Sequence, residues 1–80
     1  MVYSDTYIGS VKLELLERLG LRQVSYIKQM HDDLFFDAIG FEKGTTHKFR
    51  IRPASGRVDE FIMGKWIRVQ KFIIKTPFID

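Results

Sequence analysis

Apolar residues near the start of the chain recur at helical spacing. Val11, Leu15, Leu16 and Leu19 form one stripe, which predicts a helix over residues 10–19, with Ser10 as its N-cap and Gly20 just past its end. Leu21, Val24, Ile27 and Met30 then repeat every third residue, and this favours a second helix over residues 21–31. Val24, Tyr26 and Ile27 also suit a strand. Beyond Asp33 the pattern turns to β. Leu34 to Phe41 is an apolar run. In His47 to Arg52, Phe49 and Ile51 alternate with Lys48, Arg50 and Arg52, which predicts a half-buried strand with a cationic outer face. Pro53 ends it, because proline cannot donate to the ladder. Val58 to Met63 reads as the next strand, Gly64-Lys65 as a tight turn, and Trp66 to Lys75 as the last strand. In that strand Ile67, Val69 and Ile73 are expected to face the core. Trp66, Arg68, Gln70 and Phe72 are expected to face away.

These elements predict an α+β fold. One or two N-terminal helices pack on an antiparallel meander of three to four strands. The alternative makes residues 22–30 a strand and gives a five-stranded small β-barrel with one N-terminal helix. The 80 residues read as a single domain, 1–80. A chain this short hides only about 60% of its unfolded surface, so aromatic side chains have to carry much of the core.

Charge changes this picture more than composition does. Residues 1–42 carry four basic and seven acidic side chains, whereas residues 43–80 carry nine basic and three acidic ones. Such a split makes a dipolar surface. There is no cysteine, which excludes disulfides and thiolate metal sites and fits a cytoplasmic location. No apolar run approaches the length of a membrane span, and the first residues lack a secretory pattern.

Lys48, Arg50 and Arg52 lie about 7 Å apart along one strand face, close to the spacing of backbone phosphates in a nucleic acid. Arg68 joins them beside Trp66 and Phe72, and cations interleaved with aromatics are what stacking on unpaired bases uses. The bland reading is that the cations protect strand edges while Trp66 and Phe72 lie under the helices. A second nucleic-acid reading uses Leu15 to Met30, which resembles a helix-turn-helix with Gly20 at the bend. In it Arg22, Gln23, Ser25 and Lys28 would be the DNA-contacting side chains. Leu16 stands where a small residue is usual, and Asp32 and Asp33 would repel the phosphates.

Catalytic chemistry finds little support. His31, Asp32, Asp33, Asp37 and His47 lack a metal-ligand spacing, so no metal or other cofactor is expected. Ser25 and Ser55 have no acid–base partner at a recognisable interval. No small-molecule substrate is expected either. The surplus aromatics, together with the apolar tail around Phe78, point to an interface. The expected function is therefore a non-enzymatic protein-interaction module acting as an accessory, inhibitor or assembly subunit. Its binding residues would be Lys48, Arg50, Arg52, Trp66, Arg68, Phe72 and Phe78. The expected partner is another protein or a second copy, and nucleic acid is the alternative.

Overall fold

In the computed structural model, which describes residues 2–77, helix α1 spans Asp5–Arg18. It begins earlier than the apolar stripe alone suggests. Ser4, not Ser10, is the N-cap, and its Oγ accepts a hydrogen bond from the Tyr7 N–H at 3.1 Å. Asp5 in the first turn complements the positive end of the helix dipole. Tyr7 extends the buried face through Val11 to Leu15, one residue every four. The helix stops where expected. Gly20 takes φ 62° and the Leu21 N–H returns to the Leu16 carbonyl at 3.0 Å, as a Schellman terminus does.

Five antiparallel strands follow: β1 (Gln23–Met30), β2 (Asp33–Ile39), β3 (Thr46–Arg52), β4 (Arg57–Ile62) and β5 (Lys65–Ile73). They form one sheet in the order β1-β2-β3-β4-β5, so β1 and β5 are its edges and the sheet does not close into a barrel. The domain is thus α+β with a single helix and five strands, slightly more than the expected three to four. It has the strand over residues 22–30 of the alternative reading but not its barrel.

The expected second helix is strand β1. Its period-three pattern comes from a bulge. Tyr26 pairs with Phe36 and Lys28 with Phe35, leaving Ile27 as the extra residue. An extra residue shifts which face every later side chain meets. Val24, ahead of the bulge, points to the core, and Ile27 and Met30, at and after it, turn to the opposite face. With no helix here, the helix-turn-helix resemblance lapses, and Arg22, Gln23, Ser25 and Lys28 form no DNA-reading helix.

A second irregularity reverses the expected facing at the end of β5. Arg68 pairs with Asp59, yet the following pair is Ile73 with Arg57, and Lys71 between them has φ 57°. Phe72 and Ile74 are consequently buried and Ile73 is exposed. Ile67, ahead of the irregularity, keeps the helix-side register of Glu60 and Phe49 but is exposed. Val69 packs partly against the core. Both free edges thus carry bulges, which discourage uncontrolled strand pairing.

The helix covers one face of the sheet. Tyr7, Val11 and Leu15 meet Val24, Leu34, Phe36, Phe49, Ile51, Val58, Phe72 and Ile74 in one core. Polar clasps hold the helix at both ends. Tyr3 Oη donates to the Asp32 carbonyl at 3.0 Å, Tyr7 Oη to the Lys75 carbonyl at 2.9 Å, and Arg18 Nη1 to the Ile73 carbonyl at 2.8 Å. The segment after β5 docks on its own domain, since the Ile74 N–H bonds the Gly56 carbonyl at 2.9 Å. Phe78 lies outside the described residues.

Candidate interaction surface

No element among the described residues covers the sheet face opposite the helix, and strand register sorts the residues on it. Lys48, Arg50 and Arg52 of β3 alternate with the buried Phe49 and Ile51. Phe35 lies opposite Arg50, and Asp59 lies opposite both Arg50 and Arg68. The structure therefore brings the basic strand, Trp66 and Arg68 onto one face, as their alternation predicts. Phe72 is not with them, because the β5 irregularity places it in the core beneath Arg18, whose guanidinium sits 4.1 Å from its ring centroid.

Arg50 has a different role from the one its position in the sequence suggests. Its Nε and Nη2 donate to Asp59 Oδ2 at 3.1 and 2.8 Å, and Arg57 Nε donates to Asp59 Oδ1 at 2.9 Å. Asp59 is the one buried charged residue among the described residues. Burial alone would push its carboxyl pKa up, but the hydrogen bonds and charges of Arg50 and Arg57 outweigh that and hold it below the ordinary carboxylate value. Arg50 also lies over Trp66, 4.9 Å from the ring centroid, a cation–π contact. Arg50 is thus a structural residue that ties β3 to β4. The cations on this face with no ion pair among the described residues are Lys28, Lys48, Arg52 and Arg68.

Trp66 anchors an aromatic group on the same face. Its ring meets Phe35 at 5.8 Å and 65°, and Phe61 at 5.1 Å and 59°. These tilted contacts, with Arg50 above, fix the orientation of the indole and leave part of it facing the cleft. Beside the group is a cleft of about 310 Å³, whose lining includes Ile27, Lys28, Met30, Phe35, Lys48 and Trp66. Sequence reasoning missed Ile27 and Met30 here because the β1 bulge delivers them. It missed Asp59 because a lone carboxylate in a strand gives no sign of its cross-strand partners.

The β4–β5 hairpin ends the sheet beside this surface, with Phe61 on the open face next to Trp66 and Ile62 and Ile67 on the helix side by register. Met63 (φ 50°) and Gly64 (φ 82°) make its two-residue turn. Left-handed conformation at both positions is the type I′ pattern, for which Asn-Gly is the favoured pair. Met63 is 95% exposed, and Phe61, Ile62 and Ile67 around it are also exposed.

On the helix side, His47 Nδ1 lies 2.9 Å from Glu60 Oε2. Among the described residues no three His, Asp or Glu side chains converge as a metal site would require. No described helix is long and apolar enough to cross a membrane.

Fold and surface together define a small α+β domain with one helix-covered and one open sheet face. No protein-family model, curated protein or solved structure matches the chain.

Proposed function

We propose that this domain is a non-enzymatic protein-interaction module that docks through the β4–β5 hairpin and the adjoining open face. One observation carries the reading. Met63 occupies a left-handed turn position and is almost wholly exposed, and a methionine there is disfavoured on both counts. Holding a side chain in this backbone region costs about 1–2 kcal/mol. An adaptable thioether at an exposed tip, flanked by Phe61, Ile62 and Ile67, suits a protein groove. The absence of cysteine suits work in the cytoplasm.

The open face suits protein better than unpaired nucleic acid. Base stacking needs flat ring faces presented in a row, whereas the rings of Phe35, Trp66 and Phe61 meet one another tilted. The exposed apolar groups nearby are mostly aliphatic, Ile27, Met30, Met63 and Ile67, with Phe61 the one exposed ring among them.

The test places a benzophenone photo-crosslinker at position 63 in the native cell. The expected result is a discrete, nuclease-resistant protein adduct that Phe61→Asp abolishes. A nuclease-sensitive adduct, a lipid adduct or no adduct overturns the proposal.

A further inference from the structure

We propose that the cleft on the open face receives a short acidic segment of the partner protein, with an apolar side chain as anchor and carboxylates on either side. This inference rests on the protein-interaction reading above and adds the chemistry of what is bound.

Shape supplies the first half of the argument. The cleft, about 310 Å³, is at the small end of the range typical of ligand pockets, about 300–1,000 Å³, and so fits an anchor side chain. Its apolar walls are Ile27 and Met30 from the bulged edge strand and Phe35 and Trp66 from the aromatic group. Ile27 and Met30 are about half exposed, so filling the cleft removes their apolar surface from water, which drives association.

Charge supplies the second half. Lys28 and Lys48 line the same cleft, and Arg52 and Arg68 lie further along the face. None of the four has an ion pair among the described residues. Asp59 is already neutralised by Arg50 and Arg57. Among the described residues register places two further carboxylates on the face, Asp33 and Asp37. Asp37 lines the cleft opposite Lys48, yet the six cations Lys28, Lys48, Arg50, Arg52, Arg57 and Arg68 outnumber the three carboxylates Asp33, Asp37 and Asp59, so positive charge is in excess. An apolar anchor with flanking Asp or Glu complements both features, and charged rims of this kind select partners and speed encounter.

A randomised peptide display library, selected on the full chain, tests the proposal. The expected result is enrichment of Leu, Ile or Phe flanked by Asp or Glu, with binding that weakens as salt rises. Ile27→Asp should reduce affinity for the enriched peptide by about tenfold or more. Lys28→Glu with Lys48→Glu should move the selection toward Lys and Arg flanks. Lys48→Glu sets a carboxylate opposite Asp37, which lowers stability modestly, so circular dichroism should stay unchanged and Tm should fall only slightly in that variant. Lys28→Ala with Lys48→Ala, which adds no like charge, should keep Tm and still weaken binding to the acidic peptide. Enrichment indifferent to both sets of substitutions overturns the inference, as does no enrichment at all. So does competition by a twelve-nucleotide oligo(dT) at equal concentration. If the inference fails while the position-63 protein adduct persists, the cleft is wrong and the interaction reading stands. If both fail, both are wrong.

Discussion

Arg50 donates two hydrogen bonds, at 3.1 and 2.8 Å, to the same oxygen of Asp59, whose side chain is fully buried on the neighbouring strand. A buried carboxylate persists only when its charge and lone pairs are met, and here Arg57 meets the second oxygen. Arg50→Ala removes one partner and leaves the charge undersatisfied. The expected loss is about 3 kcal/mol of unfolding free energy, which for a domain of this size lowers Tm by about 12 °C or more. Urea unfolding of the variant checks this. In contrast, Arg52→Ala should shift stability by no more than about 0.5 kcal/mol.

The same carboxyl sets an acid limit. Its folded-state pKa lies below the ordinary value, so on acidification the unfolded chain takes up the proton first. The contribution of the pair is complete above the unfolded pKa of about 3.9. It is lost as pH falls from there through the folded value. Stability measured between pH 7 and pH 2 should drop at the acid end. In Asp59→Asn the starting stability should be lower and the acid-dependent drop smaller.

Met63→Asn should make the domain more stable and less active together. Asparagine tolerates the left-handed conformation that Met63 adopts at φ 50°, so a gain of about 0.5–1 kcal/mol is expected. Binding to the partner found by crosslinking should fall, because the apolar tip is gone. Thermal unfolding and a binding titration on one preparation check both halves. A stabilised variant that binds normally would remove Met63 from the interface.

Gly56 is where the tail meets the β3–β4 connection, and a side chain there has no room. At φ 76° a Cβ would lie 2.5 Å from the Ile74 carbonyl oxygen and 2.6 Å from Ile73 Cγ2. Gly56→Ala therefore combines backbone strain with a steric clash and should cost at least about 2 kcal/mol. The loss should be greatest at the tail, so amide exchange at Ile74, whose N–H bonds Gly56, should speed up more than that of Phe36.

Much of this protein is written in local patterns that need no tertiary information. Helix stripe and stop, the alternation of β3, the break at Pro53 and the cationic outer face all follow from spacing, since side-chain periodicity is a property of the backbone itself. The sequence determined that Lys48, Arg50 and Arg52 share one face of a strand. What it left to the tertiary structure were the bulges and the cross-strand partners. An extra residue at Ile27 gives a strand the look of a helix, and the irregularity around Lys71 exchanges Phe72 for Ile73 in the core. Whether Arg50 is free to bind or committed to Asp59 depends on register between β3 and β4, a contact between residues nine positions apart in the chain. Periodicity is local and survives in the sequence. Register and bulges are settled only when several strands compete for one helix-covered face, and they decide which side chains remain for a partner.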